Sequence, residues 1–200
     1  FIGEALSLIG LVAMAIQLAL TPGQNPLNAV SCILFCLSLI ALYSASGIYH
    51  FSRAAANVLV VLRKLDHAMI YVLIAGTYTP LLLGLLPAPR AEVFTAVIWG
   101  VALAGIVMKL CWINAPRWLG TTLYLLLGWA IAIDLPALAA LPVPAVALLA
   151  AGGLLYTVGG LIYMIKRPNL SGRFGFHEIF HLFVIAGSLC HYFLVLLYIA

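Results

Sequence analysis

The segment 143–165, "VPAVALLAAGGLLYTVGGLIYMI", contains no acidic and no basic side chain. About 20 such residues in a helix are enough to cross roughly 30 Å of hydrocarbon. Apolar and polar residues do not alternate with the period of two that a strand of a membrane barrel requires. This segment therefore predicts a transmembrane α-helix, and similar long apolar runs recur along the rest of the chain.

The composition excludes a water-soluble domain. Hydrophobic residues make up 66% of the 200 residues and charged residues only 7%, whereas soluble domains carry roughly 25% charged residues. We therefore expect an integral membrane protein whose partners are membrane lipids, with no nucleic acid partner. The composition leaves the oligomeric state open.

Interruptions in the apolar runs divide the chain into seven predicted spans and predict an all-α membrane protein. We expect a seven-transmembrane-helix bundle that forms a single domain over residues 1–200. Residues 1–20 are expected to form a first span and not a signal peptide, and the segment 51–64 is a candidate interfacial helix. The predicted spans are 2–20, 29–50, 65–86, 91–112, 118–135, 143–165 and 175–199.

The distribution of basic residues predicts the orientation of this bundle, because positively charged loops remain in the cytoplasm. The first, third and fifth connections contain only Arg90. We therefore expect a cytoplasmic N-terminus and an external C-terminus. The second, fourth and sixth connections, with the adjoining helix ends, contain Arg53, Arg63, Lys64, Lys109, Arg117, Lys166, Arg167 and Arg173.

Histidine and aspartate residues occur at the predicted cytoplasmic ends of three spans. His50 ends the second span, Asp66 begins the third, and His177 and His181 open the seventh, one turn apart. Three neutral imidazoles with a water in the fourth position form a catalytic type of zinc site. We predict that the three histidines bind Zn²⁺ and that Asp66 is a catalytic residue that orients or deprotonates the water.

Ser46 lies one turn before His50 on the same helix face. We predict that its hydroxyl group contributes to catalysis by donating to the metal-bound water or to a polarised carbonyl. A packing role for this serine is the alternative.

Several of these residues have simpler interpretations. Asp66 could cap the third helix or pair with Arg63 or Lys64. His191 lies too far along the seventh span to share the metal, and we expect a structural histidine that is hydrogen-bonded inside the bundle. The four cysteines fall within predicted spans, where they are expected to pack as small apolar residues.

The sequence "HEIFH" at 177–181 matches the HExxH pattern of zinc metalloproteases, in which the Glu is the general base. The residues that follow, "LFVIAGSLCHYFLVLLYIA", contain no carboxylate that could act as a third acidic ligand. They also lack the Gly and His spacing of the metzincins. A protease is therefore excluded, and the role of Glu178 stays open.

Three segments resemble the signature segments of the haemolysin III proteins. They are "LYSASGIYHFS" at 42–52, "RKLDHAMIYVLIAGTYTPLLL" at 63–83 and "FGFHEIFHLFVIAGSLCHYF" at 174–193. This family is the bacterial branch of the progestin and adipoQ receptor family, which is related to the alkaline ceramidases. The resemblance implies a multi-pass protein of the bacterial cytoplasmic membrane with a zinc site near the cytoplasmic side. It assigns the zinc ligands to His50, His177 and His181, the water-associated Asp to Asp66, and the Ser to Ser46.

Three functions are compatible with this pattern. The first is a membrane-embedded, zinc-dependent hydrolase that cleaves an amide or ester bond of a lipid, as a ceramidase does. The second is a non-enzymatic sensor or regulator of membrane state with a structural zinc ion. The third, suggested by the family name alone, is a pore-forming haemolysin.

Overall fold

The computed structural model describes residues 2–112, 114–133, 138–139, 141–171 and 174–200. Within these ranges the chain is helical and contains no β-strand, which confirms the all-α prediction. A short 3₁₀ helix, Ala130–Ile133, follows the fifth α-helix. The α-helices are α1 Ile2–Leu20, α2 Pro26–Phe51, α3 Ala56–Leu85, α4 Arg90–Cys111, α5 Arg117–Gly128, α6 Val143–Ile165 and α7 Phe176–Tyr198.

Six of the helices in the described part of the chain are long and apolar enough to cross a membrane, and α5 is the exception. At 1.5 Å per residue, the 12 residues of α5 extend only about 18 Å. The fifth span was predicted to end at Leu135, a residue that lies outside the described ranges. Asp134 and Arg173 also lie outside them.

The third helix differs from the prediction at its start. Helix α3 begins at Ala56 and continues for 30 residues, so the segment 51–64 does not form a separate interfacial helix. No glycine or proline interrupts the sequence between Ala56 and Ile74, and the first helical turns therefore join the span directly. At about 45 Å, α3 is longer than the hydrocarbon layer is thick.

The chain divides into two compact units, Phe1–Asn114 with Val195–Ala200, and Ala115–Leu194. In the first unit, helices approach closely where a glycine faces a side chain of the neighbouring helix. Gly76 of α3 lies against the side chain of Ser38 on α2, and Gly105 of α4 lies against the ring of Tyr71. Tyr71 is consequently only 1% exposed.

In the second unit, glycines of α6 provide the same kind of close contact. Gly152 lies against the His191 ring and Gly159 against Phe183, so both face α7. Small residues at helix interfaces let backbones approach, which strengthens van der Waals packing where lipid removes the hydrophobic drive. These contacts hold α7 in a defined rotation about its axis.

The close approach at Gly76 predicts that one added methyl group at this position destabilises the protein. Gly76→Ala would place a Cβ atom on the Ser38 side chain, and we expect the free energy of unfolding to fall by roughly 1–3 kcal/mol. Gly100→Ala is the matched control, because nothing lies within 4 Å of a Cβ atom there. Thermal unfolding in detergent should show a lower Tm for Gly76→Ala and an unchanged or higher Tm for Gly100→Ala. Equal Tm values for the two variants would contradict the close packing.

Candidate metal centre

The first unit contributes three polar side chains from two neighbouring helices. His50 lies in the last turn of α2 and Ser46 one turn before it, while Asp66 lies on α3. The Ser46 hydroxyl group and the His50 imidazole are both near enough to interact with the Asp66 carboxylate. Asp66 and Ser46 are half-buried and His50 is exposed. The three residues lie near one another within the first unit, and their predicted roles stay predictions.

The simpler interpretations of Asp66 are wrong. Helix α3 begins at Ala56, so Asp66 is far from the end that an N-cap residue would occupy. Lys64 instead donates to the carbonyl oxygen of Leu110. Arg63 donates to the amide oxygen of Asn114 at 3.4 Å. The carboxylate of Asp66 is therefore directed to the side chains of α2.

The second unit contributes the histidine pair of α7. His177 and His181 lie one turn apart, with their Nε2 atoms separated by 3.1 Å. Their rings are nearly perpendicular, with centroids 4.6 Å apart. Phe180 packs beside both rings and limits the side-chain rotations available to them. Both nitrogens are thus directed at a common point.

The spacing of the histidine pair suits two ligands of one metal ion. Two nitrogens bound to a tetrahedral zinc ion at 2.0–2.1 Å are separated by roughly 3.3 Å. The 3.1 Å spacing of the pair on α7 is close to that value. Imidazole nitrogens suit zinc and also copper, nickel or iron. His50, the third ligand that the sequence predicts, belongs to the other compact unit, so its part in the site stays a prediction.

Glu178, the acidic residue of the HExxH pattern, has a structural role. Its Oε2 atom accepts a hydrogen bond of 2.8 Å from the backbone N–H of Gly175, just before α7 begins. Such a bond satisfies one of the free N–H groups at a helix start. Glu178 is exposed, and this bond directs its carboxylate to the start of the helix. The exclusion of a protease agrees with this position.

His191 has the structural role that the sequence predicted. It is 8% exposed, and its Nε2 atom donates to the carbonyl oxygen of Leu149 at 3.3 Å. Its ring also packs on the edge of Tyr156, with centroids 5.4 Å apart.

The cysteines are all free thiols. Cys32 and Cys36 are buried, as expected of packing residues, whereas Cys111 is exposed and does not pack. Cys111 is less buried than Cys32 and Cys36 because it is the last residue of α4.

Sequence reasoning missed a second polar feature beside the histidine pair. The Arg117 guanidinium carbon lies 5.2 Å from the centroid of the Tyr163 ring and 5.9 Å from that of Phe176. Both rings contact His177, each with centroids 6.2 Å from it. In the sequence, Arg117 contributes only to the predicted orientation of the bundle. The sequence carries no signal that residues of three different helices contact one another.

Comparison with known proteins identifies the family. The family model described as "Haemolysin-III related" matches residues 2–192. The chain belongs to the haemolysin III family. The resemblance that the three signature segments suggested is therefore confirmed, and together with the six apolar helices it makes this haemolysin III protein an integral, multi-pass membrane protein.

Two bacterial relatives extend the similarity over most of the chain. The "Hemolysin-3 homolog" of Bacillus subtilis (strain 168) is 38% identical over 172 residues, which are 86% of this chain and 78% of the relative. The "Hemolysin-3" of Bacillus cereus is 33% identical over 199 residues, which are 99% of this chain and 87% of the relative. No solved structure matches.

The position of Glu178 predicts that it contributes to stability and not to metal binding. Glu178→Ala removes the acceptor for the Gly175 N–H, so we expect Tm to fall by a few degrees with unchanged metal content per chain. Differential scanning calorimetry and elemental analysis of the same purified sample test both parts. Loss of bound metal in Glu178→Ala would contradict this prediction and would show that Glu178 contributes to metal binding.

Proposed function

We propose that this haemolysin III protein is a zinc-dependent hydrolase of the bacterial cytoplasmic membrane that cleaves an amide or ester bond of a membrane lipid. The observation that supports it is the histidine pair of α7, whose Nε2 atoms are 3.1 Å apart, a spacing that suits two ligands of one zinc ion. Ionisable groups inside membrane spans are costly and commonly mark functional sites. A carboxylate and a hydroxyl group near His50 add the acid–base chemistry that hydrolysis requires.

His50, His177 and His181 would hold the zinc ion through neutral imidazole nitrogens. When bound, zinc supplies Lewis acidity and lowers the pKa of a water molecule to near 7. The role of the histidines is to fix the position of that chemistry at the end of α2 and the beginning of α7. A donor set without a carboxylate leaves the net positive charge of the ion undiminished, which favours this acidity.

Asp66 would be the general base. Its carboxylate would accept the proton of the attacking water at one oxygen and afterwards return it to the leaving amine or alkoxide. Because Asp66 is not one of the predicted zinc ligands, its carboxylate would remain available for this transfer.

Ser46 would position this base. Its hydroxyl group lies near the Asp66 carboxylate, and a hydrogen bond from it would restrict the orientations of that group. This role differs from the sequence prediction, in which Ser46 donates to the metal-bound water or to a polarised carbonyl. Loss of this bond would lower the rate and leave substrate affinity little changed.

A lipid substrate agrees with the surface of the helices. Large apolar side chains are exposed along α1 and α4, including Ile9, Val12, Val97 and Val101. Side chains of this kind face hydrocarbon in a membrane, so molecules that approach from the bilayer are lipids.

The hydrolase proposal predicts that lipid hydrolysis requires the negative charge of Asp66. Removal of this charge should leave metal binding unchanged. Asp66→Asn should lower lipid hydrolysis by at least about 100-fold, because a positioned general base contributes that much or more. Mass-spectrometric lipid analysis of membranes that contain equal amounts of each variant provides the measurement. Glu92→Gln is the control, since it also neutralises one carboxylate, in the exposed first turn of α4.

Three results would contradict the proposal. Identical lipid profiles for the wild type, Asp66→Asn and a strain without the protein would exclude hydrolysis of membrane lipids. A phenotype that is lost in His181→Ala and retained in Asp66→Asn would instead support a regulator with a structural metal. Channel currents from the purified protein in planar bilayers would support the haemolytic pore.

A further inference from the structure

Arg117 has an unusual environment for an exposed arginine. Its guanidinium group lies over the rings of Tyr163 and Phe176. Among the described residues it makes no hydrogen bond and no ion pair. The aromatic rings therefore lie against the guanidinium group, and no residue of the described ranges accepts a hydrogen bond from its five N–H donors.

The position of this group relates it to the histidine pair. Phe176 directly precedes His177 in α7, and Tyr163 of α6 contacts the His177 ring as well. One aromatic ring thus separates the guanidinium group from a predicted metal ligand. All of these residues belong to the compact unit Ala115–Leu194.

The location within the helices indicates which anion would meet Arg117. Arg117 is the first residue of α5, Tyr163 lies in the last turn of α6, and Phe176 is the first residue of α7. Ends of membrane-spanning helices lie at the level of the lipid headgroups. The anion that phospholipids present at this level is the phosphate group, and a planar guanidinium group can bind two of its oxygens at once.

The surrounding charges favour an anion. Lys166 follows α6 directly and is exposed, which adds positive charge to this end of the unit. The acidic residue nearby in sequence, Glu178, already accepts the Gly175 N–H.

We propose that Arg117 is a specificity-determining residue that binds the phosphate group of a phospholipid beside the histidine pair. This inference rests on the proposed function, because it names the substrate class as phospholipids. The phosphate would hold the headgroup at Arg117 while the scissile bond of the acyl region lies toward His177 and His181. Lipids without a phosphate group, such as diacylglycerol, would bind less tightly.

Native mass spectrometry of the full chain in detergent tests the proposal, since one spectrum resolves bound lipid and bound metal separately. The probes are dioctanoyl phosphatidylglycerol, dioctanoylglycerol and inorganic phosphate. We expect phosphatidylglycerol to bind the wild type more tightly than dioctanoylglycerol. Arg117→Ala should raise the Kd for phosphatidylglycerol roughly ten-fold and leave that for dioctanoylglycerol unchanged.

Two further variants make the result specific. Arg117→Lys should restore binding only in part, because an ammonium group lacks the planar pair of donors. Arg167→Ala removes the same charge from an exposed residue of the same unit, and its Kd should remain within about two-fold of the wild type.

Three outcomes would overturn the proposal. They are equal affinity of Arg117→Ala and wild type for phosphatidylglycerol, an equal loss in Arg167→Ala, and binding of inorganic phosphate as tight as that of the lipid. The last would assign the residue to a free phosphate ion. The metal peak in each spectrum separates this test from that of the hydrolase, since Arg117→Ala should retain metal even if lipid binding is lost.

Discussion

The absence of hydrogen-bonding partners in hydrocarbon is the constraint on which the rest of this structure depends. Every backbone polar group in a span must be satisfied within the protein, and only helices achieve this within one segment. Hydroxyl side chains obey the same rule: Thr77 and Thr157 donate to carbonyl oxygens one turn earlier, at 2.8 and 2.7 Å. Against this background, a carboxylate and three imidazoles are costly groups, and their selection implies a function.

The same solvent determines how the helices pack. Lipid chains are as apolar as leucine, so contact between helices depends on close fit and not on exclusion of water. Gly76, Gly105, Gly152 and Gly159 provide that fit in their respective units. Because each glycine fixes the rotation of a helix, packing also fixes the directions of the functional side chains. The histidine pair is an example, since its helix is held at Gly159 and its rings at Phe180.

Much of the architecture could be predicted because the bilayer limits helix length and composition. The apolar runs predicted seven helices, and the depth of the histidines predicted that His50, His177 and His181 could share one ion. The start of α3 at Ala56 was missed because the sequence carries no signal that separates an interfacial helix from a longer span. The contacts of Arg117 were missed for another reason: residues of α5, α6 and α7 meet only after the helices pack.

Elemental analysis of protein purified without chelators would decide whether His50, His177 and His181 hold one zinc ion, as proposed. We expect one zinc per chain in the wild type. We expect almost none in His50→Ala or in His181→Ala, because each variant lacks one of the three proposed ligands. Wild-type protein without stoichiometric metal, or variants that retain all of it, would contradict the zinc site and with it the proposed hydrolase.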